Sequence, residues 1–266
     1  MNETQASQVL YDCKDGIATI TLNRPEKLNA FSDDTVRQLA AALDKFDRDD
    51  EALTAILCGN GRAFCSGADV KARQARSKED LQKSGGPSAK DAKSADILAS
   101  SINWKPVICA VHGYAVGLGI GLAMDCDLVV GEEGARFQIT ETNRGLAGSG
   151  KIMAVMGYRG QGGFATEVTL TGRFFTSEEA HAAGVIDRVA PKGKYMDVAM
   201  DLAKQINRHP PLAVRASIMQ RRWEVADRKK EALRYASLNK LYLSEDFAEA
   251  TRAFVEKRPP GKFHAR

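Results

Sequence analysis

The stretch VICAVHGYAVGLGIGLAMDCDLVV, residues 107–130, changes its hydrophobic period twice within a short span. Val107 to Val111 is a β-branched run of strand type. Leu118 to Asp125 reads as a helix opened by glycine, and Leu128 to Val130 returns to strand. Strand, helix, strand in that order predicts an α/β chain whose strands are buried by helices.

The same alternation appears on either side. Upstream, Ile17 to Leu22 carries β-branched residues on both faces and stops at Asn23-Arg24-Pro25. Ser32 then precedes Asp33 and Asp34, and Val36, Leu39, Leu43 and Phe46 recur at helical spacing, which predicts a capped amphipathic helix. Leu53 to Cys58 reads as the next strand. Downstream of Pro191 the chain turns helical: Met196, Ala199, Met200, Ala203 and Ile206 share a face, His209-Pro210-Pro211 interrupts it, and charged amphipathic helices run to Val255. The segment from Lys71 to Asp96 is poor in large apolar residues and holds Ser84-Gly85-Gly86-Pro87-Ser88, so it reads either as a lid over a site or as a linker between domains.

Composition narrows the class. With 266 residues, 44% hydrophobic and 27% charged, the chain is ordinary globular material, not disordered, collagenous or membrane-spanning. A net charge of +4 is too mild for a nucleic-acid binder but suits an anionic small ligand. Five widely spaced cysteines and a start, Met1-Asn2-Glu3-Thr4-Gln5, without leader character lead us to expect a soluble cytoplasmic protein with reduced thiols. Four scattered histidines, without Cys-x-x-Cys or His-Glu-x-x-His, give no reason to expect a metal.

Glycine is the informative residue type: 13 of the 23 glycines fall between Gly113 and Gly163. Gly117-Leu118-Gly119-Ile120-Gly121 follows a strand and opens a helix, but a dinucleotide fingerprint would need its third glycine where Leu122 stands. The alternative is that bare amides at a helix N-terminus face negative charge developing on a substrate. Phe64-Cys65-Ser66-Gly67-Ala68-Asp69 is a second turn of small residues. One amide from each turn would make a two-donor oxyanion hole.

Four separated motifs carry a family resemblance. Asn23-Arg24-Pro25-Glu26-Lys27-Leu28-Asn29-Ala30, Gly61-Arg62-Ala63-Phe64-Cys65-Ser66-Gly67-Ala68-Asp69, His112-Gly113-Tyr114-Ala115-Val116-Gly117-Leu118-Gly119, and Leu170-Thr171-Gly172-Arg173 followed by Glu179 to Asp187 resemble the enoyl-CoA hydratase/isomerase (crotonase) family. The resemblance runs in order through nearly the whole chain, to the closing Phe254-Val255-Glu256-Lys257-Arg258.

The resemblance implies an α/β fold, a spiral of ββα repeats, followed by a helical region for trimerisation. The expected division is residues 1–195 for the spiral with the acyl and CoA site, and 196–266 for oligomerisation and pocket closure. It also implies an acyl-CoA thioester as substrate, so that coenzyme A arrives with the substrate and no separate cofactor is needed. A homotrimer or a hexamer of paired trimers is expected, with neither a nucleic acid nor a membrane as partner. The residues matching the oxyanion amides are Ala68 and Leu118. Those matching the CoA-lining loops are Lys27, Leu28, Ala30, Ser66, Ala68, Asp69 and Val70, with Lys27 as first choice for the phosphates and Lys262 as second. Arg73 and Arg76 are candidates for a substrate carboxylate.

Acid–base chemistry is where the sequence departs from the family pattern. Of the two glutamates that such hydratases place about the double bond, one is present as Glu141, but the position matching the other is Gly121. In an apolar pocket a lone carboxylate is expected to rise in pKa and to take and give a proton near neutrality. Asp125, one turn past Gly121, is read as structural, and Tyr114 and His112 as packing residues. Ser149 stands near where some hydrolases of the family carry an aspartate. The expected activity is hydration of a 2-enoyl-CoA or dehydration of a 3-hydroxyacyl-CoA. Double-bond isomerase comes next, then thioester hydrolase, then a non-catalytic paralogue that binds acyl-CoA or RNA.

Overall fold

A computed structural model describes residues 7–69, 101–147, 150–236 and 241–266. The chain opens with a hairpin of β1 (Val9–Lys14) and β2 (Ile17–Leu22). Its two-residue connection is Asp15-Gly16, with φ of 51° and 76°, the left-handed pair that matches the twist of paired strands. Helix α1 (Asp33–Arg48) follows, and the Ser32 hydroxyl accepts from the Thr35 amide as the spacing predicted. Then come β3 (Thr54–Gly59), β4 (Val107–Val111), β5 (Tyr114–Val116), α2 (Leu118–Asp125), β6 (Leu128–Glu132) and β7 (Arg136–Gln138).

The rest is mainly helical: α3 (Gly150–Arg159), α4 (Gly162–Thr171), α5 (Ser177–Ala182), α6 (Tyr195–Ile206), α7 (Pro211–Ala236) and α8 (Glu245–Glu256). Between them stand β8 (Phe174–Thr176) and β9 (Arg188–Ala190).

The strands divide between two sheets, and helices close the turns of a ββα spiral. The larger sheet runs β1-β2-β3-β4-β6-β9, parallel after the first hairpin, and the smaller runs β5-β7-β8. Strands β4 and β6 of the large sheet are each followed by a strand of the small one, β5 and β7, before a helix closes the turn.

Strand β4 shows why its residues are apolar on both faces. Val107, Cys109 and Val111 join the core under α1 and α2, while Ile108 and Ala110 pack with Ala199 and Ala203 of α6 on the other side. Helix α6, which begins the expected C-terminal region, therefore lies directly on the sheet.

Helix α7 packs along α3 and is tied to the turn after α2 by buried charge. Arg222 and Arg221 donate to Asp127 Oδ1 at 2.9 and 3.1 Å, and Lys229 pairs with Asp125. Asp127 also accepts the Val107 amide at 2.8 Å. An isolated buried carboxylate is costly, but this one has both cations and an amide. No helix among the described residues is long and apolar enough to cross a membrane.

Candidate active site

The turn Cys65 to Asp69 is held from both sides. Phe31 donates to the Gly67 carbonyl at 2.8 Å and accepts from the Asp69 amide at 2.9 Å, a parallel bridge to Ala68. In such a bridge the residue between the two bonded positions turns its own amide to the opposite side. Ala68 N–H therefore faces away from Phe31, and on that side lies the turn between β5 and α2. There Cys65 donates to the Tyr114 carbonyl at 3.0 Å, and Val116 donates to the Cys65 carbonyl at 2.9 Å.

Gly67 makes the approach possible. Its φ is +96°, and a Cβ there would lie 2.8 Å from the Val116 oxygen and 3.6 Å from the Leu118 nitrogen. The thiol of Cys65 adds a brace, donating to the Asn29 carbonyl at 3.2 Å and accepting from the Gly67 amide at 3.3 Å. Burial pushes that thiol up to about 12, so it is a fixed donor and not a nucleophile.

Leu118 heads α2, so its N–H is one of the amides that a helix cannot satisfy internally. Gly117 before it has φ +52° and donates to the Gln138 carbonyl at 2.9 Å. The peptides that carry the Ala68 and Leu118 amides thus lie side by side, Ala68 half-buried and Leu118 38% exposed.

Strand β7 delivers the carboxylate. Pairing of Gln138 with Val116 brings the chain past Gly117, and Glu141 follows at the head of a 3-10 turn, Thr142–Arg144. Its Oε1 is 3.9 Å from the point where a Cβ on Gly117 would stand, and its Oε2 is shielded from solvent. Thr140 Oγ1 is nearer still to that point, at 2.9 Å. Glu141, Gly117-Leu118 and Gly67-Ala68 therefore converge from three segments distant in sequence.

Gly121 lies one helical turn beyond Leu118. A Cβ there would meet Ile152 of α3, with Cγ1 at 3.3 Å and Cδ1 at 3.4 Å. An aliphatic side chain thus abuts the place where the family pattern calls for a second acid. Asp125 is engaged by Lys229, as a structural residue would be. His112 stacks on Tyr195 at 4.8 Å and its Nε2 meets the Gly61 carbonyl at 2.9 Å, while Tyr114 sets its ring edge against Phe174.

The loops matched to CoA lie together beside the amides. Ser66 donates from its backbone to the Leu28 carbonyl at 3.0 Å. Arg24 donates to the Ala30 carbonyl at 2.9 Å and to Asp69 at 3.2 Å, which joins the first loop to the second. Lys27 is exposed at the end of a short 3-10 turn. Lys262 is exposed in the C-terminal tail. Val70, Arg73, Arg76, Ser149 and the segment read as lid or linker lie outside the described residues.

Sequence reasoning overlooked two residues that build this wall. Buried Asn29 sits at φ 55°, donates to the Asn60 and Ala63 carbonyls at 2.9 and 2.8 Å, and accepts from the Arg24 amide at 2.8 Å. An asparagine inside a loop that needs a left-handed residue was the available signal. Ile152 gave none, because its contact with Gly121 depends on how α3 is seated.

The family model for enoyl-CoA hydratase/isomerase matches residues 12–265. A mevalonyl-coenzyme A hydratase of Aspergillus fumigatus is 33% identical over 92% of this chain and 90% of its own. An enoyl-CoA hydratase of Mycobacterium tuberculosis is 35% identical over 91% of each. Among solved structures, a carnitinyl-CoA hydratase from Mycobacterium avium superposes with a TM-score of 0.83 at 29% identity, covering 98% of this chain and 99% of that one. Matching motifs, the spiral of two sheets and a family match from the first strand to the tail leave one assignment: the chain belongs to the enoyl-CoA hydratase/isomerase family.

Proposed function

We propose that the protein is an enoyl-CoA hydratase that works through a thioester enolate with Glu141 as its proton-transfer group. The observation that carries this reading is the convergence of the Ala68 and Leu118 amides with the Glu141 carboxylate. Hydratase names among relatives at 33% and 35% identity support the reaction class.

The chemistry follows from charge. Glu141 removes a proton from water as the water oxygen bonds to C3 of the 2-enoyl thioester. The π electrons move through C2 to the thioester oxygen, where the two amides meet the developing anion. Preorganised donors at such an oxygen are worth about 3–4 kcal/mol each. Glu141 then returns the proton to C2, which leaves a 3-hydroxyacyl-CoA and a regenerated carboxylate. Glycine at position 121 favours a second reading, double-bond isomerisation, in which one base removes a proton from C2 of a 3-enoyl thioester and returns it at C4.

The loops around Lys27, Leu28, Ala30, Ser66, Asp69 and Val70 bind the CoA portion of the substrate, with Lys27 the phosphate partner. The helices of residues 196–266 carry a homotrimer or hexamer. The enzyme works in the cytoplasm, a setting that suits the five free cysteines.

The test is a panel of 2-enoyl-, 3-enoyl- and 3-hydroxyacyl-CoAs incubated in heavy water and followed by mass spectrometry. Gain or loss of one water establishes the hydratase. Deuterium uptake without water would establish the isomerase instead, and free CoA a hydrolase.

A further inference from the structure

The Glu141 turn is gripped by the last helix. Glu141 O accepts from the amides of Arg144 at 3.0 Å and Leu146 at 2.8 Å, on either side of Gly145. Gly145 has φ +68°, and a Cβ there would lie 2.9 Å from both the backbone nitrogen and the Cα of Phe247, so the first turn of α8 rests directly on this loop. About two helical turns on, along the same face, the Phe254 ring takes the Arg144 guanidinium at 3.5 Å from its centroid.

On its far side the loop is pinned to the end of α4. Thr142 donates to the Thr169 carbonyl at 2.7 Å, and Asn143 donates to the Gly172 carbonyl at 3.2 Å. Thr142 and Asn143 thus face one neighbour, Arg144 and Gly145 the other, and Glu141 stands at the head of the turn between them.

Helix α8 is itself strapped down. The Ser244 hydroxyl caps it, accepting from the Phe247 amide at 3.1 Å. The C-terminal tail returns along it: Asp246 accepts the amides of His264 and Ala265, each at 2.8 Å, and Glu249 accepts Arg258 at 2.6 Å and the Gly261 amide at 2.8 Å.

We infer that Arg144 and Phe254 are positioning residues for Glu141, setting through the Thr142–Arg144 turn where its carboxylate stands over the oxyanion amides. This rests on the reading of Glu141 as the proton-transfer group. Neither residue touches the reacting atoms. Their contribution is orientation, and a carboxylate displaced by about 1 Å from its working position loses about 100-fold in rate.

The test compares Phe254→Leu, Arg144→Gln and the conservative Phe254→Tyr in the full-length protein, on the substrate that the panel identifies. The rate is normalised to the CoA sites counted by calorimetry, which removes any loss of folded protein. The expected result is a fall in kcat per site of about 10- to 100-fold for Phe254→Leu and Arg144→Gln, with KM within about twofold and the Tyr variant restored to within about threefold. If Phe254→Leu does not fold, Arg144→Gln carries the same test from the other side of the contact. Unchanged kcat per site in the folded variants would overturn the inference, as would a rise in KM alone. Glu141→Gln separates the two readings. If it keeps full activity, the proton-transfer assignment falls; if it is inactive while Phe254→Leu and Arg144→Gln are normal, only the positioning role falls.

Discussion

Ile152 abuts the place that a side chain at Gly121 would take, with its Cγ1 3.3 Å and its Cδ1 3.4 Å from the point where a Cβ would stand. An aliphatic group from another helix thus crowds the position where the family pattern calls for a second acid. Gly121→Glu alone must push Ile152 aside within a packed core, where each misplaced methylene is felt. The expected outcome is that the single variant gains little hydration activity, while Gly121→Glu combined with Ile152→Ala, which removes both crowding atoms, gains clearly more. Loss of enoyl-thioester absorbance gives both rates. A single variant as active as the double would show that Ile152 is no obstacle.

Leu118 is the first residue of α2, a position where proline is tolerated because its missing amide makes no helix hydrogen bond. Leu118→Pro therefore deletes one proposed oxyanion donor and spares the helix. We expect kcat to fall about 100- to 1,000-fold, with CoA affinity by calorimetry near that of the native protein. An unaltered kcat would remove the Leu118 amide from the mechanism.

Asn29 closes three backbone hydrogen bonds in a fully buried left-handed position. Asn29→Ala leaves two carbonyls and one amide without their partner and puts alanine, which tolerates the left-handed region less well than asparagine, at φ 55°. The expected loss is about 2–4 kcal/mol in urea unfolding. Because the same loop carries Lys27, Leu28 and Ala30, KM for the acyl-CoA should rise as well.

The buried thiols set an alkaline limit. Burial raises Cys58, Cys65 and Cys109, Cys65 from an ordinary 9.0 to about 12. The folded chain then keeps protons that the unfolded chain releases above pH 9, so this part of the stability is intact below pH 9 and is lost as pH rises toward 12. Urea midpoints at rising alkaline pH should fall across that window, and replacing Cys65 with Ala should flatten part of the fall. Under native conditions iodoacetamide should label half-buried Cys13 before the buried thiols.

Much of the candidate site was legible before the fold because its parts are local. The strand run at Val107 to Val111, the Ser32 cap and the glycine-opened helix at Leu118 each depend on neighbours within a few residues. The motifs around Ala68, Leu118 and Glu141 named the three groups that the structure brings together. The break of helix at His209-Pro210-Pro211 was equally plain, since α7 starts at Pro211.

The seating of one element on another was not legible. That Ile152 abuts Gly121, that Lys229 takes Asp125, and that Phe247 and Phe254 hold the Glu141 turn are contacts across the spiral, fixed by how helices pack on two sheets. Hydrophobic period and turn chemistry act along the chain and so determined which segments are strands, helices and amide-bearing turns. Only the tertiary structure decided which side chains meet, because close packing lets a single arrangement of those segments fill the core without voids.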